Sequence, residues 1–133
     1  MGEARRAARH LASRVVEIAI VSVPVGDQDL AKSFYLDKLG FREVSDEQMG
    51  PDRRWVLLAP PGGGAAVTLV TWFPTMPPGS MKGLVYEVDD LAATRERLRS
   101  HGVAVGDIET QPWGALLQLD DPDGNGIVLQ QSR

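Results

Sequence analysis

The feature that most constrains this chain is an order of elements that occurs twice. After a strand ending in Val25, the triplet Asp29-Leu30-Ala31 is followed, nine residues beyond its alanine, by Gly40-Phe41. After a strand ending in Val88, Asp90-Leu91-Ala92 is followed, ten residues beyond its alanine, by Gly102-Val103. Each copy supplies an aspartate to cap the free N–H groups of a first helical turn and a leucine for a core. Each also supplies a glycine to close the helix in a left-handed conformation. Such a recurrence after about sixty residues predicts an internal duplication.

Each half reads β-α-β-β-β. VVEIAIVSV is apolar and β-branched at nearly every position, which predicts a strand covered on both faces. GDQDLAKSFYLDKLG predicts a helix capped by Asp27 or Asp29 and ended by Gly40, with Leu30, Phe34 and Leu39 as its buried stripe. FREVSDE, RRWVLLA and AVTLVTWF follow as strands, separated by the turn formers MGPD and PPGGG. PTMPPGSMKG reads as a linker. Then come the strand KGLVYEV, the helix DLAATRERLRSHG capped by Asp90, and a short strand in VAVGDIE. The strands GALLQLD and IVLQQ close the half, on either side of the turn DPDGNG. The fold class is therefore α+β, with two βαβββ modules over about residues 15–73 and 82–131. Together they make one domain, 15–133, behind an arginine-rich extension, 1–14.

Composition narrows the function classes. A chain of 133 residues can bury one core without a disulfide or structural metal, and the absence of cysteine excludes thiolate chemistry. No apolar run reaches the ~20 residues of a membrane span. The net charge of −4 is uneven: residues 1–14 hold Arg5, Arg6, Arg9 and Arg14 against Glu3, so the remainder is a mildly acidic body. An acidic body suits neutral or cationic small molecules rather than nucleic acid. The extension lacks the apolar stretch of a secretory signal and is too weakly apolar to anchor to a membrane, so it reads as a helical arm of a cytoplasmic protein.

Val25-Gly26-Asp27, Phe34-Tyr35 and Leu39-Gly40-Phe41 resemble the opening of the vicinal oxygen chelate superfamily. That superfamily includes glyoxalases, extradiol dioxygenases, and fosfomycin- and bleomycin-resistance proteins. Asp121-Pro122-Asp123-Gly124-Asn125, followed by an apolar strand, resembles its closing motif, and the similarity covers about residues 16–131. The resemblance implies curved mixed sheets around a concave pocket, helices on the outer face, and a homodimer whose pockets are shared between chains. In metal-dependent members the ligands come from the first and last strands of each half, positions held here by Ile20, Thr68, Gly83 and Val128. Three of these offer no donor, and one threonine hydroxyl is a poor partner for a divalent ion. The only histidines, His10 and His101, fall in the extension and at the end of the second helix. No metal and no cofactor is expected.

Strand alternation extends those positions into a pocket. Ser22 and Ile18 share a face with Ile20; Val70 and Trp72 with Thr68; Val85 and Glu87 with Gly83; and Gln130 with Val128. The opposite faces (Ala19, Val21, Val23; Val67, Leu69, Phe73; Leu84, Tyr86, Val88) are apolar and suit packing beneath helices. Trp113 can close one side, and Trp55 is a further candidate. A strand tryptophan is as readily core as ligand platform, so Trp72 carries both readings. Glu87 is the candidate catalytic residue: buried beside Trp72 its pKa would rise towards that of a general base, whereas at the strand end it is a solvated rim carboxylate. Asp120, Asp121 and Asp123 read as a turn rather than a metal cluster, and Gly62-Gly63-Gly64 as a loop rather than a phosphate cradle.

Three functions remain. The first is a metal-free protein that binds a small organic molecule in a largely apolar pocket and sequesters a drug or metabolite. The alternative is a lyase, isomerase or dioxygenase-like enzyme of the same superfamily. The third is a partner-binding module that kept the fold and lost its chemistry.

Overall fold

A computed structural model describes residues 13–133. The expected arginine-rich extension therefore lies, apart from Ser13 and Arg14, outside the described residues. The first half comprises β1 (Ile20–Pro24), α1 (Gln28–Ser33) running into a π-helical turn (Phe34–Lys38), β2 (Arg42–Gln48), β3 (Arg54–Ala59) and β4 (Ala66–Val70). The second comprises β5 (Leu84–Glu87), α2 (Leu91–Ser100), β6 (Glu109–Gln111), β7 (Gly114–Asp120) and β8 (Gly126–Ser132). Two four-stranded mixed sheets result, ordered β1-β4-β3-β2 and β5-β8-β7-β6. In each, the first strand runs parallel to the last and lies at the sheet edge. This is the twofold βαβββ, α+β architecture that the sequence predicts.

Equivalent hydrogen bonds set the correspondence between the halves. Val25 N–H donates to the Val70 carbonyl at 2.9 Å, and Val88 N–H to the Gln130 carbonyl at 2.8 Å. Asp27 caps α1 by accepting from Leu30 N–H at 3.1 Å, and Asp90 caps α2 by accepting from Ala93 N–H at 3.0 Å. The equivalent aspartates are thus Asp27 and Asp90, and the matching triplets of the sequence lie two residues out of step. Leu30 shows the consequence: it is 57% exposed, where the sequence reading placed it in the core, whereas Leu91 is buried. Third from its cap, Leu30 faces solvent, and the buried stripe of this helix is Ala31 and Tyr35, four residues apart.

Three other expectations fail for reasons of pairing. The first strand begins at Ile20 rather than Val15, because its parallel partner starts only at Ala66, after the Pro60–Gly64 turn. Val15, Val16 and Ile18 are consequently exposed, not covered on both faces. Ladder pairing of β4 ends at Val70, so alternation no longer governs Phe73, which is exposed instead of lying beneath a helix. VAVGDIE makes one isolated bridge, Val105 to Leu119, and the ladder strand begins later, at Glu109.

One hydrophobic core serves both halves. Tyr35, Phe41 and Tyr86 form a chain of ring contacts with centroids 5.5 Å apart, linking α1 to β5. A buried polar junction adds to it. Asp121 accepts from Tyr35 Oη, Asn125 Nδ2, Asn125 N–H and Asp123 N–H, each at 2.9 Å, and Asn125 Nδ2 also donates to the Pro24 carbonyl at 2.8 Å. Among the described residues no three histidines or carboxylates gather as a metal cluster, and the turn DPDGNG serves as this junction. The linker docks against it at Gly79, whose φ is +82°; a β-carbon there would collide with the Asp123 carbonyl.

Candidate functional site

Each sheet turns one face, the near face, towards the shared core. Val23, Val56, Val67 and Leu69 occupy that face of the first sheet, and Tyr86, Leu117, Ile127 and Leu129 that of the second. Register assigns the other, far face. In the first sheet Ser22 and Leu57 flank Thr68, and Ile20 lies beside Ala66. Val70, although buried, stands outside the core cluster, as a far-face residue should. In the second sheet Val85 pairs with Val128 and Glu87 with Gln130, while Leu116 and Gln118 continue the same face across β7.

The far faces are apolar with few anchors. Ile20 and Val85, on the two edge strands, are 42% and 48% exposed. Thr68 is only 1% exposed, and its Oγ1 has no hydrogen-bond partner among the described residues. At Gly83, with φ of +75°, a β-carbon would meet nothing within 4 Å, so the residue leaves open space. Trp72 is partly buried under the guanidinium of Arg53, with Cζ 5.0 Å from the ring centroid. Trp113 is half-exposed in the hairpin between β6 and β7, away from both cavities described below.

Glu87 does not lie buried beside Trp72. Its side chain is exposed, with Oε2 accepting from Ser132 N–H at 2.7 Å and Oε1 from Ser132 Oγ at 2.9 Å and Gln130 Nε2 at 3.1 Å. The Ser132 backbone donor first, then the Gln130 and Ser132 side chains, hold its pKa below the usual carboxylate range. That is the opposite direction from the one a general base at neutral pH requires, and the carboxylate instead ties β5 to the last strand.

The sequence reading missed the cavity that one chain does enclose. It measures about 800 Å3 and lies between the halves, lined by Val21, Phe41, Val67, Leu84 and Tyr86 with the Pro60-Pro61 loop at its mouth. Val21, Val67, Leu84 and Tyr86 are near-face residues that alternation assigned to packing beneath helices. Of the expected pocket, only Val85 and Glu87 reach it. Tyr86 Oη is buried without a partner among the described residues, and burial pushes its pKa up. A second cleft of about 650 Å3 runs between Lys38, Val105 and Asp120.

The four positions that the resemblance marks for metal ligands do not fit a divalent ion here. Ile20, Gly83 and Val128 offer no donor atom, and Thr68 offers a single neutral hydroxyl. Among the described residues the one histidine, His101, does not rescue the set: it caps α2, with Nδ1 2.8 Å from the Arg97 carbonyl, and His10 lies outside them.

Known proteins are similar to this chain in fold and sequence. An antibiotic-binding protein, TnmS3 from Streptomyces sp. CB03234, is 44% identical with a TM-score of 0.85, over 91% of this chain and 99% of its own. A superfamily member from Sphaerobacter thermophilus is 30% identical with a TM-score of 0.81, over 89% of this chain and 98% of its own. The uncharacterized protein YetH of Bacillus subtilis is 36% identical over 121 residues, covering 88% of this chain and 99% of its own. The family model matches residues 9–129, and the chain belongs to the glyoxalase/bleomycin resistance protein/dioxygenase superfamily.

Proposed function

We propose that this chain binds and sequesters a small organic molecule on the far faces of its sheets, without a resident metal, and that a second copy completes the site. The observation that carries the reading is the exposed apolar surface at two sheet edges that no strand pairs among the described residues, Ile20 on β1 and Val85 on β5. Edge strands with apolar side chains recruit a further chain unless something covers them. The first sheet contributes Ser22, Thr68, Val70 and Trp72; the second contributes Val85, Glu87, Val128 and Gln130, with Gly83 leaving room between them. Trp113 stands at the rim.

The similarity to a protein described as antibiotic-binding supports a ligand rather than a substrate. So does Glu87, a carboxylate bound by three donors and held ionised, which positions groups instead of moving protons. The chain works as one domain over residues 15–133. Its acidic body disfavours nucleic acid, and no helix among the described residues is long and apolar enough to cross a membrane. We place its action in the cytoplasm.

Light scattering on the full chain, metal analysis of the same sample, and thermal unfolding against a panel of aromatic and cationic compounds test the reading together. A dimer, no stoichiometric metal and a ligand-induced rise in Tm are expected. Stoichiometric nickel, zinc, iron or manganese would overturn the metal-free site. A monomer at micromolar concentration would overturn the shared one.

A further inference from the structure

The cavity between the halves lies on the near side of the sheets, apart from the far faces, and it has a chemistry of its own. Val21 and Val67 line it from the first sheet, and Leu84, Tyr86 and Leu129 from the second. Tyr86 Oη, the one polar side-chain atom of these five, is itself buried. The inner wall therefore offers a ligand apolar contact and no side-chain hydrogen bond. At about 800 Å3 the space falls within the range of pockets that enclose small organic molecules.

The helix α2 forms one border. Asp90, Ala93, Thr94 and Arg97 all reach the cavity, at the i, i+3, i+4 and i+7 spacing of a single helical face. From Asp90 to Arg97 that face runs about 10 Å along the axis, the length of an extended chain of about eight carbons.

Charge is unequal along this border. Asp89 and Asp90 stand at its start. Asp89 is exposed and makes no ion pair among the described residues. Asp90 spends one oxygen on the Ala93 N–H. Glu87 also borders the cavity, but Ser132 and Gln130 already occupy its carboxylate. Arg97 is the one bordering cation, and its Nη1 donates to the Lys38 carbonyl at 2.9 Å. The N-terminus of α2 adds roughly half a positive charge, which two carboxylates outweigh.

We propose that this cavity is a second binding site, for a primary alkylamine of about eight carbons, with the ammonium at Asp89 and Asp90 and the alkyl tail between the two halves along α2. An apolar interior with uncommitted carboxylates at one end complements a cationic head on an aliphatic chain. The site stands independently of the far-face one, which draws on other side chains.

The test titrates octylammonium, octanol and octanoate, far below micelle-forming concentrations, into the full chain by calorimetry. The ammonium binds tightest, one molecule per chain, and hexylammonium binds about tenfold more weakly because two methylenes leave the apolar wall. Asp89→Asn weakens octylammonium about fivefold and leaves octanol within about twofold, with Tm unchanged. Ala93→Phe places a ring at the border and weakens octylammonium and octanol alike by about tenfold or more. Its urea midpoint stays near the wild-type value, because Ala93 is exposed. Octanol or octanoate binding as tightly as the ammonium would overturn the ligand class. Full binding by Ala93→Phe, or uptake of many molecules per chain, would place the amine on the outer surface and overturn the site. Binding that fades as light scattering shows the chain self-associating would give the cavity to a second copy, and that too would overturn the proposal. Failure of all the probes would overturn it as well, and the far-face site would be untouched by that result.

Discussion

Replacing Asp121 with alanine removes the acceptor on which four donors from three residues, Tyr35, Asp123 and Asn125, converge. Tyr35 Oη and Asn125 N–H are left without partners in a buried place, because Asp121 is 5% exposed and Tyr35 and Asn125 are buried. Asn125 Nδ2 keeps its bond to the Pro24 carbonyl, and the partly buried Asp123 N–H can turn to water. Two buried orphans at about 1–3 kcal/mol each give a loss of roughly 4 kcal/mol. Tyr35→Phe instead removes one donor and leaves the carboxylate three others, at a cost of about 1 kcal/mol. The double variant keeps one orphan and costs about 2 kcal/mol against about 5 for the sum of the singles, so it should be more stable than that sum by about 3 kcal/mol. Urea denaturation followed by far-ultraviolet circular dichroism measures all three, with unchanged slope as the condition for comparison. Additive single variants, or a loss below about 1 kcal/mol for Asp121→Ala, would refute the view that this junction holds the halves together.

Gly79→Ala should destabilise by more than about 1 kcal/mol, since it combines a left-handed φ with a collision at the Asp123 carbonyl; urea midpoints check this. Asp46, bound first by Arg54 and then by Lys32, has a folded pKa lowered from its ordinary value. Its charge therefore stabilises the fold above the unfolded pKa of about 4, and that contribution is lost as pH falls towards the folded value. Asp46→Asn should cost about 1 kcal/mol at neutral pH, with the gap to wild type narrowing as pH falls below about 4, and a gap that stays constant in urea titrations would refute it. Ligand affinity should be flat between about pH 6 and 8 for an uncharged probe, because the Glu87 carboxylate stays ionised throughout; a limb near pH 6–7 that disappears in Glu87→Gln would show a titrating group after all.

Local chemistry was legible in the sequence. Asp90 caps, Gly102 follows the helix it closes, the DPDGNG turn forms where it was expected, and β7 has the bounds of GALLQLD. Each of these depends on residues a few positions apart. Leu30 and Phe73 were misplaced because their faces depend on where a helix is capped and where a ladder stops. A six-residue helix that widens into a π-turn shifts its buried stripe in a way that leucine spacing does not record. Val15, Val16 and Ile18 look like strand interior, yet burial needs a partner, and β4 begins too late to supply one.

Alternation also assigned far-face residues within each strand, since side-chain parity is a property of a single segment. Whether two far faces meet is a different question, because β1 and β5 are edges of separate sheets. A single chain closes instead on the near side, around the cavity between Val67 and Tyr86, where the sequence offered only apolar residues suited to a core. Val85 and Glu87 belong to both surfaces: they border that cavity, and they pair across β5 and β8 with the far-face residues Val128 and Gln130. A second copy seated on the β5 edge would therefore cover Val85, extend the far face and narrow the mouth of the cavity in one step. Exposure of Val85 to solvent is the unfavourable term that such an assembly removes, so Val85→Lys should weaken dimerisation and ligand binding together.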